Sequence, residues 1–279
     1  MPRIAQLTDL HLRPPGVLTL GAIDADAYAT AAIDAVIAKH DDLDAVMVTG
    51  DIADLGEEDA YTRAAMLLSR FAIPVFVVPG NHDMTHRLRD AFITWPGVSD
   101  APVPEKLCYS ADLGSVRVVM LDTAVNRDNQ MVPSGTLGTA QLEWLDAVLD
   151  HPGDTIIGMH HPPFQVGIGF MDEISLSDAD AFGAVVAKHA NVARIVCGHV
   201  HRTIVGTVGG VTTMAIPGVA HQVKLALSAV AVPQLVMEPP AYGIHLAAGG
   251  AVVSHVGYVD NFGGPQTFSE MAAKAEPAR

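Results

Sequence analysis

The sequence predicts an α/β sandwich. Short β-branched runs alternate with longer segments whose apolar residues recur at helical spacing, which is the signature of strands and helices in succession. Five of the apolar runs end in a small group of oxygen or imidazole side chains, and in open α/β sheets ligands collect at the carboxyl ends of strands.

The strands expected in order are Arg3 to Thr8, Ala45 to Thr49, Val75 to Pro79, Val116 to Leu121, Thr155 to Met159 and Ala193 to Cys197. Between them the spacing predicts helices over Ala25 to Lys39, Glu57 to Ser69, Thr85 to Phe92, Ala140 to Leu149 and Ala179 to His189. Asp24 and Thr139 are the candidate N-caps, because a short side-chain oxygen can accept from the first free amides of a helix. Ala31, Val36 and Ile37 form the apolar stripe of the first helix, and Leu142, Leu145 and Leu149 that of the fourth. Thr203 to Ile216 reads as a hairpin around Gly209-Gly210, a pair suited to the positive φ angles of a tight turn. Composition changes after Pro217. Leu225 to Val236 is apolar and uncharged, Pro233, Pro239 and Pro240 interrupt this region, and Tyr242 to Val259 resembles a last pair of strands. A boundary near 217 therefore separates a main domain, 1–216, from a C-terminal cap or dimerisation extension, 217–279, whose end from Phe262 is a loosely held tail.

At 279 residues, 49% hydrophobic and 17% charged, the chain has ample material for a core. Sixteen basic against thirty-one acidic residues give a formal charge of −15, which disfavours binding to duplex nucleic acid. Two cysteines, Cys108 and Cys197, supply neither a disulfide framework nor a thiolate metal site, so a reducing compartment is expected. No apolar run reaches the roughly 18 residues that span a bilayer, and Met1 leads directly into the first strand without room for a cleavable signal. The expectation is a cytoplasmic protein without membrane contact.

The groups at the strand ends are Asp9-Leu10-His11, Gly50-Asp51, Gly80-Asn81-His82-Asp83, His160-His161 and Gly198-His199-Val200-His201. Taken singly, most read as turns or caps, since Asn, Asp and Gly favour such positions. Five in succession, each closing an apolar strand, read as one site. In Asp9-x-His11 and His199-x-His201 the two-residue period of extended chain would turn both side chains the same way. Gly50 and Gly80 would let the backbone bend close to an ion. Carboxylate, carboxamide and imidazole donors suit Mn, Fe, Zn or Co.

The ordered set D-x-H, GD, GNHD, H and GHxH resembles the calcineurin-like metallophosphoesterase superfamily, in particular bacterial class III cyclic-nucleotide phosphodiesterases and the related glycerophosphodiesterases. The likeness covers residues 3 to 216, and Pro217 to Val223 is similar to a segment of the glycerophosphodiesterase branch. It implies a four-layer αββα sandwich of two mixed sheets flanked by helices, and two divalent metal ions per subunit. One ion would be held by Asp9, His11, Asp51 and His201, the other by Asp51, Asn81, His160 and His199, with Asp51 bridging. His161 would turn away. His82 would lie beside the reacting phosphate and protonate the leaving alkoxide, Asp83 would orient it, and His221 would assist from nearby. Asp54 and Asp122 would support loops at the rim. His40, His86, His151, His189, His245 and His255 have no ligand spacing and read as surface or packing residues, and Met84, Met159 and Met171 as filler.

The resemblance implies hydrolysis of small phosphodiesters, 3',5'-cyclic nucleotides or glycerophosphodiesters, by a metal-bound hydroxide. A diester suits the motif loops better than a monoester, because they offer few cations, mainly Arg13, Arg87, Arg127 and Arg202. A phosphomonoesterase or a nuclease is the alternative enzyme. A non-catalytic scaffold is disfavoured because every ligand position holds a competent residue. Selectivity would reside in the loops Arg13 to Asp24, Asn126 to Thr136 and Phe164 to Ser177, and in the part after Pro217. These lack a base-stacking aromatic cluster, so the site should be promiscuous. The uncharged stretch Leu225 to Val236 would be costly to leave in water, which favours a homodimer.

Overall fold

A computed structural model describes residues 1–228, 232–269 and 271. Residues 229–231 of the uncharged stretch and 270 and 272–279 of the expected tail lie outside the described residues. The chain opens with β1 (Arg3–Leu7), α1 (Ala25–Lys39), β2 (Ala45–Thr49), α2 (Glu58–Leu68), β3 (Val75–Val78) and α3 (Thr85–Ala91). It continues through β4 (Tyr109–Leu113), β5 (Val116–Leu121), a small hairpin of β6 (Val125–Arg127) and β7 (Gln130–Val132), α4 (Thr139–Val148) and β8 (Asp154–Met159). Then come α5 (Gly169–Asp172), α6 (Ala179–Val186), β9 (Val192–Cys197), β10 (Ile204–Val208) and β11 (Val211–Ala215). A two-stranded ribbon, β12 (Gln222–Val223) with β13 (Leu235–Val236), precedes the final hairpin of β14 (Ala241–Ala248) and β15 (Ala251–Tyr258).

Two mixed sheets form, ordered β15-β14-β1-β2-β3 and β10-β11-β9-β8-β5-β4. Strands β1, β2 and β3 are mutually parallel, as are β5, β8, β9 and β11. Alternation along the second sheet shows why it is sandwiched. Val118, Met120, Ile156 and Val196 join the cluster shared with Ile4, Val46 and Val48 of the first sheet. Their neighbours Val119, Leu121, Ile157 and Ile195 pack instead with Leu145 of α4 and Phe182 of α6. A strand with both faces buried needs an unbroken apolar run, which is what these segments carry. Helices α1 and α2 cover the other face of the first sheet through Ala32, Ile33, Tyr61 and Leu68. The architecture is thus helix, sheet, sheet, helix, as the resemblance implied.

The expected elements recur with small shifts, and the exceptions have local causes. Asp24 does cap α1, accepting from the Ala27 amide at 3.0 Å. Thr139 does not cap α4: Gly138 holds the cap position at φ 79°, and the Asp178 carboxylate takes the amides of Leu137 and Gly138. In α1 the buried stripe is Ala29, Ala32, Ile33 and Val36, whereas Ala31 and Ile37 face outward. Helix α6 stops at Val186 because the next amides reach only three residues back, Lys188 to Val185 and His189 to Val186, a tightened last turn. The Gly209-Gly210 turn forms, with φ of 57° and 85°, and Gly249-Gly250 closes β14 and β15 in the same way.

The chain after 217 contributes to two places. The ribbon β12–β13 lies over the carboxyl ends of the strands, while β14 and β15 continue the first sheet through antiparallel pairing of β14 with β1. Among the described residues no helix is long and apolar enough to cross a membrane.

Candidate metal centre

All five groups lie just beyond the carboxyl ends of β1, β2, β3, β8 and β9. Parallel running brings three of these ends together in one sheet and two in the other. The convergence within each group does not come from strand alternation, as the spacing had suggested. Asp9, His11, Asp51, His199 and His201 all hold the left-handed conformation, with φ between 46° and 68°. Such backbone is strained for residues other than glycine and persists where surroundings enforce it, as at functional sites. The glycines make the room: a Cβ on Gly50 would collide with the His160 ring, one on Gly80 with the Asp51 carboxylate, and one on Gly198 with the Thr8 hydroxyl.

One donor atom each from Asp9, His11, Asp51 and His201 lie within 4.8 Å of one another, and the same holds for Asp51, His160 and His199. Asn81 Oδ1 joins the second group, 3.1 Å from His160 Nε2 and 2.8 Å from His199 Nδ1. Asp51 is common to both groups. All seven side chains are buried, none more than 8% exposed.

Their hydrogen bonds determine what this set can hold. His160 donates from Nδ1 to the Thr49 carbonyl (2.8 Å), His201 from Nδ1 to the His221 carbonyl (2.7 Å), and His11 from Nδ1 to Asp54 Oδ1 (3.1 Å). Each ring therefore turns an Nε2 lone pair inward. His11 and His201 present theirs to each other at 3.2 Å, and His160 presents its own to Asn81 Oδ1 and, at 3.3 Å, to Asp51 Oδ2. Buried acceptors so close repel unless a proton or a cation lies among them. Asp9 Oδ2 and His199 Nε2 are likewise buried without a hydrogen-bond partner. The donor set fits two divalent cations, with outer hydrogen bonds fixing the imidazoles as in metal sites generally. Protonation shows the same demand for positive charge. Burial would lower His160, yet the Asp51 and Asp9 carboxylates raise it to about 9, and Asp51 stays well below the ordinary range despite burial, through His160 and His82.

The residues around this cluster fall partly where the sequence placed them. His82 lines the cavity and donates from Nδ1 to the Asp54 carbonyl at 2.8 Å, leaving Nε2 for a ligand. Asp83 does not orient His82. Its carboxylate accepts the amides of Ile52, Ala53 and Gly80, between 2.8 and 3.0 Å, and so clamps the Gly50-Asp51 loop to the Gly80-Asn81 loop. Burial and the charge of Asp51 push it up to about 6. The group that orients His82 and His11 together is Asp54, which the sequence had assigned only to the rim. His221 stands beside His11 and His201, its ring centroid 5.1 and 4.7 Å from theirs, with Nδ1 buried and unpartnered. Burial, with His201 and His11 beside it, lowers it to about 3. His161 turns away from the donors, as expected, but is no bystander: it donates to the Pro133 carbonyl, accepts from Thr123 and packs on the His199 ring at 4.4 Å. His245, read as packing, is fully buried in a polar network. Gln6, Thr8 and Thr49, which sequence reasoning missed, bind the strand ends; a polar residue inside an otherwise apolar strand was the available signal.

A cavity of about 280 Å³ opens on the donors. Beyond them its wall is mostly apolar, with Leu20, Phe170, Met171, Ile174, Val223 and Leu235 beside the single amide of Gln234, and no Lys or Arg is among its described lining residues. Arg13 pairs with Glu57 and Asp54, Arg202 with Glu238, and Arg87 with the Gly56 carbonyl. Two of the three expected specificity loops reach this cavity, as does the ribbon after 217. The loop Asn126 to Thr136 instead lines a separate cavity of about 590 Å³ with Arg89 and Lys106.

Comparison with known proteins agrees with this geometry. The chain is 35% identical over 245 residues to a probable cyclic nucleotide phosphodiesterase of Rhodopseudomonas palustris, covering 85% of each. It is 31% identical to a 3',5'-cyclic adenosine monophosphate phosphodiesterase of Escherichia coli, over 80% of this chain and 78% of that one. A glycerophosphodiester phosphodiesterase of Enterobacter lignolyticus is 27% identical over 96% of this chain and 95% of its own. Among solved structures, a dimetal phosphatase from Danio rerio shares the fold at TM-score 0.63 and 16% identity, covering 91% of this chain and 98% of that one. The calcineurin-like phosphoesterase family matches residues 2–203, and with the two-sheet fold and the strand-end donors already described, the chain is an enzyme that belongs to that family.

Proposed function

We propose that the protein hydrolyses small phosphodiesters at a two-metal centre. Asp9, His11, Asp51 and His201 would hold one ion, and Asp51, Asn81, His160 and His199 the other, with Asp51 shared. Bound there, such ions polarise the phosphoryl oxygens and make a water-derived nucleophile available near neutral pH. The observation that carries the diester reading is the cavity wall: past the donors it is mostly apolar, and among the described residues no Lys or Arg lines it to pair with the second charge of a monoester.

His82 contributes the proton. Its Nδ1 is tied to Asp54, its Nε2 faces the cavity, and although burial would lower it, Asp51 and Asp54 raise its basicity, so it stays charged further into the neutral range. It would protonate the departing alkoxide. His221 also packs against the His11 ring, and its buried, unpartnered Nδ1 serves a substrate oxygen. Asp83 acts indirectly, through the two loops that it clamps.

Relatives named for cyclic nucleotides and for glycerophosphodiesters are both similar to this chain, and the mostly apolar wall suits either ester group without a Lys or Arg contact. The ribbon β12–β13 acts as a cap through Val223 and Leu235. Two buried free cysteines favour a reducing, cytoplasmic setting. The deciding experiment reconstitutes the metal-free protein with Mn, Fe, Zn or Co and compares bis(p-nitrophenyl) phosphate with p-nitrophenyl phosphate, then cyclic AMP with glycerophosphoethanolamine. Faster turnover of the diester is expected, and a preference for the monoester sinks the reading.

A further inference from the structure

The donors of the centre come from two sheets. Asp9, Asp51 and Asn81 follow strands of the first, and His160, His199 and His201 follow strands of the second. Their spacing depends on whatever fixes the strand ends of one sheet against those of the other. Gln6 of β1, wholly buried, occupies that position. Its Nε2 donates to Thr49 Oγ1 at 2.8 Å and to the Cys197 carbonyl oxygen at 3.0 Å. Thr49 ends β2 and leads into Gly50-Asp51, whereas Cys197 ends β9 and leads into Gly198-His199. A single amide therefore ties together the two strand ends that carry the shared carboxylate and one of its partners. The Thr49 carbonyl also receives His160 Nδ1, so the same strand end fixes that ring.

Gln6 is held in turn from the C-terminal hairpin. Both of its amide hydrogens are committed, and its Oε1, 3.0 Å from His245 Nε2, accepts. His245 must therefore carry its proton on Nε2, and its Nδ1 accepts from Ser254 Oγ at 2.8 Å. His245 and Ser254 are paired across β14 and β15. Opposite Gln6 stands Gly243, where a Cβ would press on His245 Nε2 and on the Gln6 side chain, so this glycine leaves space for the chain of bonds.

We propose that Ser254, His245 and Gln6 form a strut that sets the separation of the two donor groups, with Gln6 as its positioning residue. The hairpin after Pro240 supplies no donor, yet it governs whether both ions are held around Asp51. This inference rests on the two-metal reading above.

The test measures Mn(II) binding to the metal-free full chain by titration and the magnetic coupling of the bound ions by electron paramagnetic resonance, with the metal-free melting temperature as control. Wild type is expected to bind two coupled ions. Gln6→Leu should keep the tighter ion, bind the weaker one at least tenfold more loosely and lose the coupled signal. His245→Leu should shift both readouts the same way, and His245→Gln, which retains an N–H toward Gln6, should restore them. Should Gln6→Leu fail to fold, the two His245 variants decide alone. Wild-type affinity and coupling in Gln6→Leu, or in His245→Leu where that pair decides, overturn the strut, as does a loss in the His245 variants that tracks melting temperature without rescue by His245→Gln. If wild type itself binds no Mn(II), the two-metal reading is what falls.

Discussion

At the scale of single residues the proposed reaction asks some groups to hold charge and others to move protons. His82 has one ring nitrogen tied to the Asp54 carbonyl and the other directed at the cavity. Its worth therefore depends on the leaving group. A p-nitrophenolate departs without help, whereas an alkoxide needs a proton, and general acid catalysis contributes on the order of 10²- to 10⁴-fold. His82→Ala should thus slow an alkyl diester by about two orders of magnitude or more and bis(p-nitrophenyl) phosphate far less. Equal losses on both substrates, measured as kcat, would remove His82 as the acid. Asp54 should behave differently, because its carboxylate orients His11, whereas His82 is held by its main-chain carbonyl, which alanine retains. Asp54→Ala should weaken metal binding by about 10- to 100-fold as well as slow turnover, which equilibrium dialysis would detect; unaltered affinity would leave Asp54 with the rim role that its sequence position suggested.

At the scale of elements, the strand ends are where sequence and structure agree best. The apolar runs of β2, β5, β8 and β9 are buried on both faces, so their composition alone marks them, and the ends of β2, β8 and β9, with those of β1 and β3, give the donor groups. What remained illegible are short pieces without periodicity, namely β4 (YSADL), β6, β7, α5 and the β12–β13 ribbon, which owe their form to neighbours. The left-handed backbone of Asp9 and His199 could not be read either, because it reflects tertiary enforcement against intrinsic preference. Gly80 allows a direct test of that enforcement. A Cβ there meets the carboxylate and amide of Asp51, so Gly80→Ala should destabilise the metal-free protein by about 1–3 kcal/mol and displace Asp51 from both donor groups. Chemical denaturation together with metal titration reads both effects, and retention of both ions at wild-type stability would show that the loops are not so closely packed. The hairpin of β14 and β15 carries a pH signature of its own. Burial lowers His245 to about 3, against roughly 6.5 in an unfolded chain. Above that value the residue is neutral in both states and its contribution is whole. As pH falls, the unfolded chain takes a proton that the folded chain refuses, and stability declines by up to about 1.4 kcal/mol per pH unit from this group. His245→Gln should flatten the decline between pH 6.5 and 4, as followed by urea midpoints; an identical slope would mean that His245 is not held neutral.

At the scale of the whole molecule, charge and apolar surface pull against each other. A net charge of −15 makes copies repel, and an uncharged face is where two would meet at least electrostatic cost. The stretch from Leu225 to Met237 contains no charged residue. Within it Leu225, Leu227, Val232 and Leu235 are between 46% and 72% exposed, a concentration of large apolar side chains that isolated surface leucines do not match. If a second copy of this chain covers the patch, the same surface on both partners closes a twofold dimer. Screening then supplies a directional test. Salt weakens the repulsion between two anionic chains and leaves apolar burial intact, so association should tighten as ionic strength rises from about 0.05 to 0.5 M, the reverse of a dimer held by ion pairs. Sedimentation equilibrium should find a dimer at micromolar concentration, and a Leu225→Glu, Leu227→Glu double variant should sediment as a monomer that still binds its metals, since neither residue is a donor. A wild-type monomer at all salt concentrations would leave the patch to the cavity mouth alone, where Leu235 already lines the wall.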